Sequence, residues 1–479
     1  MKNKKIFIII TCAVFVAGIT TFFCLFPILT VSCKNEDGVI IYEQKYLRTF
    51  FDDSYDISYP DILGYQTAGS YTLSGSAAFH KKITISYETE KFNAPILKIS
   101  TENNKKINSK DIYTKSTVSL VNCDDEYQME NVDAGIRLRG NSTAAAPKSP
   151  YRIKFDTKTN VLGLNGGSKF KNWVLLADWY DYSLSRNYIN FYLGSNLNIY
   201  SSDYKVVEVF VNGRYSGVYL LCEQQEINKN RIDIEEYDEA KSDPTNTGYL
   251  LENDYYYYEN EDFFIENNIN GNAYNFTHWL VKGDTTSPAQ LTYITNYMQS
   301  IYDELFNACD ETRVSNLVDI DSAVEMTILQ LINKDSDSNS SFYVYKDKNG
   351  KLVFAAPWDA DMAYANLTNS KNPEGAQLNH LLSKLMTKDW FSIKVKARWQ
   401  ELTDGGLRQN MIAELNYLSA TFTREYERNF KAYSILGKKN FDPHQVDEVT
   451  TFKNQKDASG YLINWLNARF DWLENSYFA

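Results

Sequence analysis

The most informative group of chemically capable residues lies between positions 333 and 361. Asn333, Asp335, Asp337 and Asn339 stand on one side, and Asp359 and Asp361 follow Pro357-Trp358 on the other. Between them, 342–345 and 352–355 read as two short strands joined by a turn over 347–350. Folding that hairpin brings the Asp335 end beside the Asp359 end. Two acidic ends without a local base suit a hard cation such as Mg2+, which prefers oxygen ligands. A Ca2+ loop of the EF-hand kind is excluded, because its required Gly and Glu positions are missing. The plain alternative is a solvated acidic loop. Trp358 and the adjoining apolar strand argue against it, since they imply partial burial.

Cations come from an earlier strand pair. Alternation puts Ile136 and Leu138 on one face and Arg137 and Arg139 on the other. After the small-residue loop Gly140-Asn141-Ser142-Thr143, a second strand sends Tyr151, Ile153 and Phe155 one way, and Arg152 and Lys154 the other. If these strands pair, one wall is apolar and the other gathers up to four cations beside a loop rich in donors. That combination suits phosphate oxygens. Lys148, in the connecting loop, could supply the phosphate cation instead of Lys154. An amphipathic hairpin with a solvated face is the structural alternative. Further on, Asn212-Gly213 between apolar runs marks a second hairpin. Its return strand ends at Glu223, an awkward place for an unpaired carboxylate. Glu223 therefore pairs with a cation such as Lys154, contacts a ligand, or simply ends a strand.

The elements that must hold these groups are legible in outline. The apolar run 173–177 leads into Asp178, Asp181, Ser183, Arg186 and Asn187, which open a helix through about Leu197. Asp181 or Ser183 is its expected N-cap, and Tyr188, Ile189, Tyr192 and Leu193 form its apolar stripe. This segment reads mostly as scaffold, from which Arg186 and Asn187 could point into a site. Residues 34 to about 90 alternate short apolar runs with Gly, Ser and Asp clusters, and strands continue to about 225. A polar, Tyr- and Asn-rich insertion occupies roughly 238–275, and from about 288 the pattern is helical apart from the strand pair already described. The expected class is α+β, with a β-rich N-terminal part and a helical C-terminal part.

With 43% hydrophobic residues the chain can bury a large core, so wholesale disorder is excluded. A net charge of −12, from 49 Lys+Arg against 61 Asp+Glu, excludes a general nucleic-acid binder. His80, His278, His380 and His444 are too scattered for a His-built zinc site. Cys12, Cys24 and Cys33 fall in or just after an N-terminal apolar run, which leaves Cys123, Cys222 and Cys309 without a disulfide or CxxC pattern. The run from Ile6 to Leu29 carries no charge and follows Lys2, Lys4 and Lys5. As a helix it spans about 36 Å, enough for a hydrocarbon core of about 30 Å. It is expected to be an uncleaved transmembrane anchor with the body outside the cytoplasm. The rival is a lipoprotein signal ending at Cys33, which Ser32 fits and Thr30 does not. The domain plan is then an anchor at 1–33, a β-rich extracytoplasmic segment at 34–94, and a main domain at 95–479 divided near 225.

Together, Arg139-Gly140-Asn141-Ser142-Thr143, Pro150-Tyr151-Arg152-Ile153-Lys154-Phe155, the 173–177 run with Asp181, Ser183, Arg186 and Asn187, Gly217 to Leu221 with Glu223-Gln224, Asn333 with Asp335, and Pro357-Trp358-Asp359 resemble the CotH kinase family. Arg398-Trp399-Gln400-Glu401-Leu402 is similar as well, and the resemblance covers roughly 95–475. It implies a degenerate protein-kinase-like fold that binds ATP and Mg2+ or Mn2+ and phosphorylates Ser/Thr hydroxyls of coat or surface proteins. It implies that Gly140, Asn141, Ser142 and Thr143 cover the phosphates, with Arg139, Lys148, Arg152, Lys154 and Glu223 in the nucleotide site. Lys154 then resembles the lysine on the α- and β-phosphates. Asp335 would accept the hydroxyl proton, with Asp337 as rival for that role, and Asp359 would hold the metal with Asn339 and Asp361. One departure is visible: kinases place the metal-binding Asn five residues after the catalytic Asp, where this chain has Ser340, and Asn339 follows Asp335 by four (339 − 335). A non-catalytic scaffold of the same fold, in coat or cell-surface assembly, and a surface carbohydrate-binding protein are the alternatives.

Overall fold

The computed structural model describes residues 92–236, 245, 247–255, 263–264, 278–283 and 287–479, together with the backbone of four strands between 28 and 89. Those four, β1 (Ile28–Lys34), β2 (Ile40–Leu47), β3 (Gly69–Ser76) and β4 (Lys82–Thr89), form an antiparallel sheet in the order β2-β1-β3-β4. Ile28 and Leu29, expected to end the apolar anchor, are therefore strand residues, as is Cys33. The rest of that run, up to Pro27, lies outside the described residues. Among the described residues no helix is long and apolar enough to cross a membrane.

Seven strands then close into a barrel: β5 (Ile96–Thr101), β6 (Thr114–Val121), β7 (Met129–Leu138), β8 (Tyr151–Thr159), β9 (Phe170–Leu176), β10 (Tyr204–Val211) and β11 (Arg214–Glu223), in the order β10-β11-β9-β8-β7-β6-β5. Antiparallel neighbours make most of the wall, and a parallel pairing of β10 with β5 closes it. The expected alternation holds in β7 and β8. Ile136 faces Ile153 and Arg137 faces Arg152 across the pair, with Ile136, Ile153 and Phe155 in the barrel core. Asn212 and Gly213, both at positive φ, make the tight turn between β10 and β11. These two strands are near-continuous apolar runs because both faces are covered. Val207, Val209, Tyr219 and Leu221 fill the barrel, while Val206, Val218, Leu220 and Cys222 pack against the C-terminal part.

The C-terminal part is a second sheet wrapped in helices. β12 (Tyr249–Asp254), β13 (Phe263–Phe264), β14 (His278–Lys282), β15 (Phe342–Lys346) and β16 (Leu352–Phe354) run in the order β13-β14-β12-β15-β16. The stretch expected to be a polar insertion thus contributes the buried central strand, β12. The helices are α1 (Arg186–Ser195), α2 (Pro288–Phe306), α3 (Glu311–Leu317), α4 (Ile320–Asn333), α5 (His380–Leu385), α6 (Asp389–Asp404), α7 (Leu407–Thr421), α8 (Thr423–Ala432) and α9 (Gln455–Trp472). Helix α4 is buried nearly all round because it runs through the main core; only its first two residues escape burial. Asp319 caps its start by accepting from the Ser322 N–H, and Lys334 ends it in the left-handed conformation, φ 46°. That stop delivers Asn333 and Asp335 to the site. The α+β class, with β early and α late, is as the sequence indicates.

Candidate functional site

Asp335 follows the stop of α4, Asp359 follows β16, and the β15–β16 hairpin lies between, so the two acidic ends do meet. The junction is tied from a third direction by α1. Asn190 Oδ1 accepts from Asn333 Nδ2 at 3.2 Å and from the Tyr364 hydroxyl at 3.0 Å. Asn187 accepts the Ala360 N–H at 2.8 Å and donates to Asp178 at 2.7 Å. Arg186 reaches the carbonyls of Ala363 and Tyr364. The backbone around Asp359 needs this support. Ala356, Asp359, Tyr364 and Ala365 all hold positive φ, as do Lys334 and Asp178. Each such non-glycine residue costs on the order of 1–3 kcal/mol and persists only where its surroundings impose it.

Asp181 is the anchor of this frame. Fully buried, it accepts from the N–H groups of Ser183, Ser185 and Arg186, from the Ser183 hydroxyl, and from the Arg186 guanidinium. The N-cap of α1 is Ser185, not Asp181 or Ser183 as expected; Asp181 instead accepts the first helical N–H, that of Arg186, from four residues before the cap.

The frame holds carboxylates in excess of cations. Burial raises Asp335 to about 8, with Asp337 and Asp359 adding to the rise. Burial, then Asp359 and Asp254, raises Asp337 to about 7. Asp178 also rises to about 7, through burial and then Asp181. Asp361 is pushed well up by burial and by Asp359, Asp178, Asp181 and Asp335. Asp178 is a member of this cluster that sequence reasoning missed, having placed it in the scaffold. The signal was present: a carboxylate ending a buried strand raises the same question that Glu223 does. These groups share a field without converging. Among the described residues no three His, Cys, Asp or Glu side chains stand close enough to hold a metal as they are. The donor set fits a hard divalent ion in kind, being all oxygen and short of positive charge.

Lys148 is the cation that faces this cluster. It is 2% exposed, and its Nζ has no hydrogen-bond partner. The ammonium lies 4.9 Å from the Tyr219 ring centre. Burial lowers it to about 7 against the pull of Asp178 and Asp181. Gly217, at φ 107°, makes room: a Cβ there would come within 2.8 Å of Lys148 Cε. Arg139 joins from the barrel rim, stacked 5.3 Å over the ring of Trp358. Gly140 stands at φ 78°, and the exposed Asn141 and Ser142 with Thr143 form the turn that follows.

Lys154 goes elsewhere. It is exposed, 5.9 Å over the Tyr113 ring, in a cleft of about 600 Å³ between the barrel and the second sheet. Arg137, Arg152, Gln224 and Lys282 line the same cleft, which shares no lining residue with the acidic cluster. Arg152 Nε donates to Gln224 there at 3.0 Å.

Two expected site residues are committed to structure. Glu223 accepts from Arg231 at 2.9 Å, Asn165 at 2.7 Å and the Asp203 N–H at 2.8 Å, and only 1% of it is exposed. It is therefore closed to a nucleotide. Asn339 Oδ1 accepts from both the backbone N–H of His380, at 3.0 Å, and its Nδ1, at 2.9 Å. Both lone pairs of the amide oxygen are used in this arrangement, which leaves none for a metal. That backbone donor also fixes the imidazole with its proton on Nδ1, leaving Nε2 to accept from Tyr302 at 2.5 Å.

The family model described as CotH kinase protein matches residues 136–473, a span that contains every member of the acidic cluster, Lys148 and Arg139. No curated protein matches the chain.

Proposed function

The chain belongs to the CotH kinase family, and on that premise we propose that it is a phosphotransferase with a degenerate protein-kinase-like fold, moving the γ-phosphoryl group of ATP to a Ser or Thr hydroxyl of a coat or surface protein. The observation that carries this reading is the buried, unpartnered Lys148 ammonium facing a cluster of carboxylates short of cations. A phosphate chain with its divalent ion supplies what each half lacks: anionic oxygens for the lysine and positive charge for the aspartates. Lys148 and Arg139 bind and orient the phosphates. Asp359 and Asp361 would hold Mg2+ or Mn2+, whose chemistry when bound is to neutralise charge on the phosphates. Asp335 takes the proton of the acceptor hydroxyl as its oxygen bonds to phosphorus and ADP departs. An extracytoplasmic position for the body is supported by the charge-free run and the lysines before it.

The test is ATP binding with and without Mg2+, followed by transfer of labelled phosphate to a protein acceptor. Binding and transfer that both need Lys148 are expected; transfer that persists when Lys148 and Asp335 are both neutralised would overturn the assignment. A second reading, a non-catalytic scaffold of the same fold, is favoured by one observation: the amide oxygen of Asn339 is spent on His380. Metal-dependent binding without turnover would select it.

A further inference from the structure

Helix α8 stands between two different environments. Arg428 and Asn429 face the barrel, bonding Glu208 and the Val218 N–H. Thr423, Tyr426, Glu427, Phe430 and Lys431, spaced three and four apart along another face, line a cavity of about 460 Å³ closed by Leu436, Ser419 and residues 453–456. The cavity shares no lining residue with the cleft or the acidic cluster. Tyr426 and Phe430, buried at 1% and 7% exposure, make an apolar floor with Leu436. The rim carries Lys431, Lys453 and Lys456 against the single acid Glu427. None of the three lysines forms an ion pair among the described residues, in a chain whose net charge is −12. The first turn of α9 is already capped, Asn454 accepting from the Asp457 N–H. Recognition of an anion here therefore falls to the lysines.

We propose that this cavity binds a small amphiphilic anion, an aromatic or aliphatic body on Tyr426, Phe430 and Leu436 with a phosphate headgroup on the lysine rim, and that its occupancy regulates the acidic cluster behind it. An enclosed apolar floor with a few convergent polar groups is the usual form of a small-molecule site, and the volume falls in the ordinary range of about 300–1,000 Å³. The link to the cluster is short. The Tyr426 hydroxyl lies in the field of Asp178 and Asp181. Gln455 Nε2 donates to the Ser183 carbonyl at 2.8 Å, and Ser183 in turn holds Asp181.

Phenyl phosphate, titrated calorimetrically into the full chain, tests the site. Saturable one-to-one binding is expected, with inorganic phosphate and benzyl alcohol each much weaker, because neither has both halves. The double variant Lys431→Glu, Lys456→Glu should bind about tenfold more weakly or worse with an unchanged melting temperature, and Lys148→Met should bind as the parent does. Equal binding by the double variant, loss in Lys148→Met, or no saturable binding would overturn the site. The regulatory half rests on the proposed nucleotide function: saturating phenyl phosphate should change ATP affinity by about fivefold or more. Cavity binding with unchanged ATP affinity overturns the regulatory link. Cavity binding in a chain that binds no ATP overturns the nucleotide function and leaves the cavity site standing.

Discussion

Replacing Lys148 with methionine keeps an unbranched side chain one atom shorter and removes its charge, and the two consequences have opposite signs. Burial holds the ammonium at about 7 where the ordinary value is 10.5. Because the folded value is the lower one, the unfolded chain binds more protons between pH 7 and 10.5. The cost of keeping this lysine is thus complete below pH 7 and vanishes above 10.5. At about 1.4 kcal/mol per unit, it comes to about 4 kcal/mol at pH 7. That figure already includes the pull of Asp178 and Asp181, and Asp181 keeps Arg186 as its partner, so a net stabilisation of about 2–4 kcal/mol is expected for the nucleotide-free protein. Binding moves the other way. A hydrogen bond to a charged group contributes about 1.5–3 kcal/mol, so ATP affinity should fall about 10- to 150-fold. Thermal melting without ligand, and calorimetric titration with Mg-ATP, read the two effects separately. A variant that melts lower than the parent and binds ATP equally well would refute the reasoning on both counts. Lys154→Ala, out in the cleft, should change neither melting nor affinity by a comparable amount.

Further outcomes follow from the same geometry. Asp359→Asn should weaken Mg2+-dependent nucleotide binding, whereas Asp335→Asn should spare binding and slow labelled-phosphate transfer by about 10²- to 10⁴-fold; abolition of transfer by Asp337→Asn but not by Asp335→Asn would reverse their roles. In EDTA, stability should fall as pH rises from 5 to 7, because Asp335, Asp337 and Asp178 have folded values raised to about 8, 7 and 7 and so favour folding only while protonated; melting curves that rise over that range would contradict it, since the histidines that oppose the trend, His380, held near 3 by burial, and the less shifted His278, are fewer than the aspartates. Tyr302→Phe, which strips a partner from both His380 and Trp279, should cost about 1–3 kcal/mol in urea denaturation. Arg428→Met, which leaves Glu208 buried without its bidentate partner, should cost about 3–5 kcal/mol by the same measurement.

What could be read from the sequence follows the range over which each signal acts. Hairpins at 212–213 and 347–350 were legible because turn chemistry and strand alternation are local, and the meeting of Asp335 with Asp359 followed from the second hairpin alone. The pairing of β7 with β8 was legible for the same reason, and with it the outward cluster of Arg137 and Arg152. The partition of the lysines was not. Lys154 lies on a strand whose alternation announces it, yet the strand turns it into the cleft. Lys148 lies in a loop with no periodicity, and only the packing of Gly217, Tyr219 and Asn429 around it makes it the buried cation. Glu223 and Asn339 looked available because their partners, Arg231 and His380, lie in segments whose approach no local pattern encodes. β12 was hidden by its setting. A short strand amid Tyr- and Asn-rich residues resembles a loop until β14 and β15 cover both of its edges.

The ion pair between Arg428 and Glu208 has a mechanical consequence. It joins α8 to β10 at 2.8 Å through two parallel bonds, and Glu425 shares the same guanidinium. Asn429, the next residue, and Tyr433, a turn further on, bond β11. The wall of the barrel that borders the cleft belongs instead to β7, β8 and β9. The two halves of the molecule therefore meet like the covers of a book, with the spine at β10 and β11 and the open edge at Arg137, Arg152 and Lys154. A rotation about that spine would displace the open edge most and the spine least. Lys148, lodged against Gly217 and Asn429, is bound into the spine. Such a rotation would leave its charge beside Gly217 and Tyr219, while the cations of the open edge would travel with the page.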